Sequence, residues 1–147
     1  IPVFLAELKA KPFLSELTGN DLLFTADTIV WLNGKVLGKP ENMEEARNML
    51  LKLSGRKHQV ISGVCLSSFN KQKSFYAVSD VHFKILSEKE VDYYISIYKP
   101  FDKAGAYGIQ EWIGYIAVER IVGSYFNVMG LPIQNVYSEL KKCILQD

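Results

Sequence analysis

A long apolar run that ends in a two-residue turn constrains the fold of this chain more than any other feature. Leu22–Leu32 is rich in Leu, Phe, Ile, Val and Trp, and it leads directly into Asn33-Gly34. Asn-Gly is the strongest two-residue signal for a β-hairpin, because both positions tolerate a positive φ. The sequence therefore predicts a strand, a tight turn and a short second strand.

A longer hairpin is predicted in the middle of the chain. His58–Phe69 alternates polar and apolar residues, and a second alternating run follows the polar turn at 70–73. Period-two alternation is typical of strands with one buried face. The residues expected on the buried face are Val60, Val64, Leu66, Phe75, Ala77, Val81, Phe83 and Ile85. Ile113–Val122 repeats a strand pattern, so we predict another strand there.

Helices are predicted by their start and stop signals. The first covers Phe4–Leu8, and Pro12 should end or kink it, because proline lacks the N–H that an inner helical turn needs. A second begins at Asn42, with Glu45 at the reciprocal capping position, and stops at Gly55. Its buried face is predicted to be Ala46, Leu50 and Leu53.

Two more helices complete the pattern. Ser87 and Glu90 form a capping box, and that helix should end before Pro100. Pro132 suits the first position of the final helix. The expected apolar faces are Val91, Tyr94, Ile95 and Tyr98 in the former, and Val136, Leu140 and Ile144 in the latter. With no repeat or linker, residues 1–147 are predicted to form one mixed α/β domain.

Charge and cysteine usage exclude several classes of protein. Seventeen basic and sixteen acidic residues give a net charge of +1 without a block of like charge, which argues against non-specific nucleic-acid binding and leaves room for a small charged ligand. No apolar run reaches the ~18 residues of a membrane span, so we expect no membrane association and a cytoplasmic protein. Cys65 and Cys143 form no C-x-x-C motif, and we expect buried free thiols.

Two charged residues stand out as candidate functional groups. Asp27 lies inside the apolar run, where a carboxylate is costly unless it is paired, hydrogen-bonded or bound to a cation. The alternative is a carboxylate at a strand end, or one paired with a lysine for structure. Lys39 lies between Gly38 and Pro40, a setting that could present its ammonium to phosphate. The alternative for Lys39 is a solvated turn lysine.

The loop around Gly105 and Gly108 is the third candidate. Small residues let a ligand approach the backbone, and the Gln110 amide can donate and accept hydrogen bonds at once, as a pyrimidine edge requires. The alternative is a surface turn. His58 and His82 are too few for a histidine metal cluster, and we interpret them as polar strand residues.

These features occur in an order that resembles the Maf family of nucleoside triphosphate pyrophosphatases. The matching segments cover nearly the whole chain. They are Ala26-Asp27-Thr28, Gly38-Lys39-Pro40, residues 53–60, residues 102–110, Gly123-Ser124-Tyr125 and residues 127–132. The set as a whole carries the resemblance, since no single short motif is specific.

The resemblance implies a two-lobed mixed α/β fold around a central cleft, similar to the inosine triphosphatase group. It implies hydrolysis of a nucleoside triphosphate to the monophosphate and pyrophosphate with a divalent metal, Mg²⁺ or Mn²⁺. By position, Asp27 would be the proton acceptor and a metal ligand, and Lys39 and Lys9 would contact phosphate. Thr28 and Gln110 would mark the dTTP/UTP branch rather than the 7-methyl-GTP branch.

Two departures from the family pattern accompany the resemblance. The family's N-terminal strand, its Ser-x-x-Arg motif and an acidic residue shortly after it would lie ahead of Ile1, so we expect an N-terminally incomplete domain. Glu111 replaces the more usual glycine after the glutamine, next to the base pocket. The expected partners are a nucleoside triphosphate and, as an option, a second copy in a homodimer. A nucleotide-binding regulator of septum formation without turnover is the alternative function.

Overall fold

A five-stranded antiparallel sheet with helices on both faces forms the centre of the computed structural model, which describes residues 1–145 and side chains as far as residue 142. The strands are β1 (Leu22–Leu32), β2 (Lys35–Leu37), β3 (Lys57–Ser68), β4 (Gln72–Phe83) and β5 (Val118–Val122). The helices of this described part are α1 (Pro2–Ala10), α2 (Met43–Leu53), α3 (Glu88–Tyr98), α4 (Trp112–Ala117), α5 (Tyr125–Met129) and α6 (Ile133–Leu145). Short 3-10 turns cover Lys11–Glu16 and Ala104–Ala106. The predicted mixed α/β class is confirmed.

Both predicted hairpins are present, in the sheet order β2-β1-β3-β4-β5. Asn33 and Gly34 have φ values of 49° and 80°, which is the backbone that the Asn-Gly signal requires. Strands β3 and β4 pair from Lys57 opposite His82 to Ser67 opposite Gln72. Local turn chemistry and alternation were therefore sufficient to predict these pairings.

Strand β1 is only partly covered on one side. Its pairing with β2 is confined to Val30–Leu32, whereas its pairing with β3 runs from Leu22 to Trp31. The stretch of β1 around Asp27 therefore has a sheet edge, which leaves its backbone and side chains free to contact elements outside the sheet. One such contact is the ammonium of Lys9, whose Nζ donates to the Ala26 carbonyl at 2.9 Å.

Helix α1 packs on one face of the sheet. Its buried residues Ala6 and Ala10 contact Cys65 of β3. A Cβ on Gly63 would lie 2.3 Å from the backbone of Pro2, so glycine is needed there for this close approach. The spacing of apolar residues predicted this helix correctly, but the small residues are buried and the large ones are exposed, because close packing leaves no room for them.

The opposite face of the sheet carries the main core. Leu50 and Leu53 of α2 and Tyr94 of α3 are completely buried there, together with Val60 and Val81 of the sheet. Val136 of α6 packs on a neighbouring cluster with Val64 and Leu66. The predicted faces of these helices are confirmed as far as the described side chains reach; Cys143 and Ile144 lie outside them.

The predicted helix starts are mostly confirmed. Asn42 Oδ1 accepts from the Glu45 N–H at 2.8 Å, although among the described residues Glu45 makes no return bond. Ser87 and Glu90 form the complete capping box. Helix α6 begins one residue later than predicted, with Pro132 just before it and the Pro132 carbonyl accepting from the Val136 N–H at 3.0 Å.

The prediction of a strand over Ile113–Val122 is wrong for its first half. Residues 112–117 form α4, and only Val118–Val122 is a strand. Ile113 and Ala117 are fully buried while Tyr115 between them is 82% exposed, which fits a spacing of four and not of two. Gly114 permits this helix, because a Cβ there would lie 1.7 Å from the Ile109 carbonyl oxygen.

The placement of Ile85 on the buried strand face is also wrong. Strand β4 ends at Phe83, and Ile85 is 82% exposed. After Phe83 the chain leaves the sheet. The Leu86 N–H then donates to Ser54 Oγ at 2.6 Å, next to the end of α2. Cys65 is a buried free thiol, as predicted. In the part of the chain that the structure describes, no helix is long and apolar enough to cross a membrane.

Candidate active site

A cavity of about 310 Å³ opens beside the exposed edge of β1 and brings all five predicted site residues together. Its walls come from the end of α1, from β1, from the loops after β2 and α3, and from α5. The predicted residues among its walls are Lys9, Asp27, Thr28, Lys39 and Gln110. Further residues that line it include Val30, Val60, Asp102, Lys103, Tyr107, Gly108, Met129 and Gly130.

Asp27 and Lys9 form an ion pair at the cavity wall. Lys9 Nζ lies 2.8 Å from Asp27 Oδ1, with the Asp27 side chain 21% exposed. No other group in the described part of the chain bonds the second carboxylate oxygen, Oδ2, which leaves it available to water or a cation. The carboxylate in the apolar run is therefore paired with an ammonium group, which lowers the free-energy cost of placing a charge in this strand.

The loops that carry Lys39 and Lys103 are joined through their backbones. The Gly105 N–H donates to the Gly38 carbonyl at 3.0 Å, and Gly105 has a φ of 69° that favours glycine. Lys103 Nζ lies 3.2 Å from Asp102 Oδ1. This hydrogen bond lowers the pKa of Asp102, and the charge of Lys39 lowers it further. Three ammonium groups and two carboxylates therefore share one cavity, an arrangement that suits a polyanion.

Thr28 lines the cavity, but its hydroxyl is already bonded within the protein. Thr28 Oγ1 lies 2.8 Å from Ser62 Oγ and 3.2 Å from the Gly130 carbonyl. Ser62 Oγ donates to the Asn127 carbonyl, and Asn127 Nδ2 lies within 3.2 Å of the Val60 and Ala77 carbonyls. Thr28 therefore links β1 to the turn after α5, and both line the cavity.

Gln110 offers the cavity an amide with no partner of its own. Its side chain is exposed at the rim, and no group in the described residues bonds its carbonyl oxygen or its NH₂. An unpaired amide can donate one hydrogen bond and accept another on adjacent atoms of a ligand.

A buried pair of polar rings supports the floor of the cavity. His58 Nε2 lies 2.6 Å from Tyr107 Oη, and both residues pack edge-on against Phe83. His58 Nδ1 is buried without a partner. Burial lowers the pKa of His58 to about 4, and the charge of His82 adds to this effect. His58 is a buried residue of β3, which fits its interpretation as a polar strand residue.

The depressed pKa of His58 makes folding stability depend on pH. Between pH ~6.5 and ~4 the unfolded chain takes up a proton on His58 that the folded chain does not, so the free energy of unfolding falls on acidification by at most ~1.4 kcal/mol per pH unit from this group. We expect His58→Gln to reduce the slope measured by urea unfolding at pH 7.0, 5.5 and 4.5. His82→Gln is the control that should keep most of the slope. Equal slopes for the wild type and His58→Gln would contradict this account.

Several residues of the cavity had no clear signal of their own in the sequence. Asp102, Lys103 and Tyr107 belong to a segment with no apolar periodicity, and Val128 and Met129 lie in a short helix, α5, that was not predicted. The closely spaced glycines of 102–110 were the only local indication, since they mark a place where something approaches the backbone.

The donor set fits a divalent cation that is shared with a ligand. In the described residues no three His, Cys, Asp or Glu side chains are grouped so that they alone could hold a metal. Asp27 has a free Oδ2, and Asp102 lines the same cavity. Mg²⁺ is commonly held by one or two carboxylates, water and substrate phosphates. The site therefore suits a cation that enters with a phosphorylated ligand.

Comparison with known proteins found one family model and several similar proteins. The family model described as Maf-like protein matches residues 2–143. A protein of Phocaeicola vulgatus named dTTP/UTP pyrophosphatase is 59% identical over 142 residues, which covers 97% of this chain and 74% of that protein. Proteins of the same name from Porphyromonas gingivalis W83 and Christiangramia forsetii are 52% and 50% identical, each over 96% of this chain and 72% of their own length.

Proposed function

The chain belongs to the Maf family, and on that premise we propose that it hydrolyses dTTP and UTP to the nucleoside monophosphate and pyrophosphate. The observation that carries the proposal is the content of one cavity, which holds the ammonium groups of Lys9, Lys39 and Lys103 beside the unpaired amide of Gln110. The ammonium groups can bind a polyphosphate, and the amide can pair with the edge of a pyrimidine base. The names of the relatives, at 50–59% identity, support the same substrate pair.

In the proposed reaction, water attacks the α-phosphorus and the bond to the bridging oxygen breaks, so that pyrophosphate leaves. Asp27 Oδ2 takes the proton of the attacking water, while Lys9 on Oδ1 keeps the carboxylate in place. Lys39 and Lys103 neutralise charge that collects on the phosphate oxygens. Gln110 orients the nucleotide by its base, and Thr28 stabilises the wall next to it.

A divalent cation, Mg²⁺ or Mn²⁺, is part of the proposal. Asp27 would be its protein ligand, and Asp102, which lines the same cavity, would supply a second carboxylate. When bound, such a cation withdraws charge from the phosphate oxygens and lowers the barrier to attack. We propose the cytoplasm, where free nucleotides are, as the compartment of action. Dimerisation stays a prediction.

The experiment that tests the proposed function is a pyrophosphate-release assay on the purified protein with Mg²⁺ or Mn²⁺. The substrates are dTTP, UTP, CTP and 7-methyl-GTP. We expect turnover of dTTP and UTP well above that of the other two. Preference for 7-methyl-GTP would favour the other branch of the family. Tight binding of dTTP or UTP without pyrophosphate release would favour the non-catalytic regulator.

A further inference from the structure

The Glu111 side chain, which the sequence marks as a departure from the family pattern, is bound to the protein interior. Glu111 Oε1 accepts a hydrogen bond from Tyr94 Oη at 2.7 Å. The same oxygen lies 3.8 Å from Lys103 Nζ. Although Glu111 precedes the first residue of α4, its side chain does not cap that helix. Its carboxylate points back to α3 instead.

Both ends of the turn that contains Gln110 are attached to one hydroxyl group. The Gly108 N–H donates to Tyr94 Oη at 3.1 Å, and Tyr94 Oη donates in turn to Glu111. The backbone closes the turn, because the Glu111 N–H donates to the Gly108 carbonyl at 3.0 Å. Gln110 lies between these two anchored residues.

The hydroxyl-bearing half of the anchor is buried in the core. Tyr94 is fully buried, and its ring stacks on Tyr98 at 5.2 Å. Burial, together with the hydrogen bond to Glu111, raises the pKa of Tyr94, so its hydroxyl keeps its proton and remains a donor. The turn is also tightly packed, since a Cβ on Gly108 would lie 2.8 Å from Glu111 Oε1. Hydrogen bonds in such a setting are stronger than at the surface.

We propose that Glu111 and Tyr94 are positioning residues that fix the orientation of Gln110 and thereby set the choice of base. This inference rests on the proposed function, in which Gln110 contacts the base. No group in the described residues bonds the Gln110 amide itself, so the anchor acts on it only through the backbone of the turn, which sets where the side chain begins. When the anchor is removed, only a fraction of molecules holds the amide in the binding orientation, and the apparent affinity for the matching base falls by that fraction.

The test compares kcat/KM for UTP and CTP in the wild type and in Glu111→Ala, Glu111→Gln and Tyr94→Phe. We expect Glu111→Ala and Tyr94→Phe to lower the preference for UTP over CTP by about tenfold, mainly through a higher KM for UTP. Glu111→Gln keeps an oxygen that accepts from Tyr94, so it should retain most of the preference. The Glu111→Ala/Tyr94→Phe double variant should be no worse than Tyr94→Phe alone, because loss of the Tyr94 hydroxyl already breaks the hydrogen bond that Glu111→Ala removes.

Controls separate this role from a structural one. Glu119→Ala, an exposed residue of β5, should leave the preference unchanged. Thermal unfolding of each variant shows whether it is folded. If Glu111→Ala does not fold, Tyr94→Phe still tests the inference, because it removes one oxygen without changing the ring. An unchanged preference in folded Tyr94→Phe would overturn this inference alone. Absence of turnover in the wild type would overturn the proposed function and this inference with it.

Discussion

Replacement of Asp27 by asparagine is expected to lower kcat for dTTP and UTP by about 10²–10⁴-fold. Asparagine keeps the size of the side chain, but it cannot accept the proton of the attacking water, and it is a weaker ligand for a divalent cation. It also removes the negative charge that faces Lys9 at 2.8 Å. The measurement is steady-state pyrophosphate release at saturating substrate.

Asp92→Asn is the matched control for this variant. Asp92 lies on α3 and pairs with Arg47 outside the cavity, so the same chemical change there should leave kcat unaffected. Thermal unfolding of both variants shows whether they are folded. If folded Asp27→Asn releases pyrophosphate at nearly the wild-type rate, Asp27 is not the proton acceptor.

Replacement of Gln110 by glutamate is expected to have the second large effect, on the choice of base. The amide oxygen can accept from N3–H of thymine or uracil while the amide nitrogen donates to O4, a pairing that cytosine does not offer. Glutamate keeps the acceptor but places a carboxylate against O4. We expect kcat/KM for dTTP and UTP to fall by an amount that corresponds to about 1–3 kcal/mol.

The comparison that checks this prediction uses dTTP, UTP, CTP and 7-methyl-GTP with both proteins. Gln134→Glu, an exposed residue of α6 bonded to Ser138, is the matched control and should keep the wild-type ranking. A wild-type ranking in Gln110→Glu would show that Gln110 does not contact the base.

Those parts of the fold that depend on neighbours in sequence were predictable. The Asn33-Gly34 turn and the Ser87–Glu90 capping box follow from the chemistry of adjacent residues, and both are present. Residues 112–117 were not predictable in this way. A run such as Trp-Ile-Gly-Tyr-Ile-Ala fits both the helical period of 3.6 residues and the strand period of two. The helix there depends on the contact between Gly114 and Ile109, which tertiary structure imposes.

The site could be predicted only in part, for a similar reason. Asp27, Lys39 and Gln110 were candidates from residue chemistry, each with a structural alternative, and the family pattern added Lys9 and Thr28. All five line one cavity. The groups that hold them were missed, because Tyr94 is separated from Gly108 by 14 positions and Asn127 from Val60 by 67. Such contacts leave no periodic signal in the sequence.

The central claim is that this chain cleaves dTTP and UTP between the α- and β-phosphates, and the identity of the products tests it most directly. The measurement is ³¹P NMR of dTTP incubated with the purified protein and Mg²⁺. The account predicts dTMP and pyrophosphate in equal amounts as the initial products. Formation of dTDP and inorganic phosphate, or an unchanged dTTP spectrum, would contradict it.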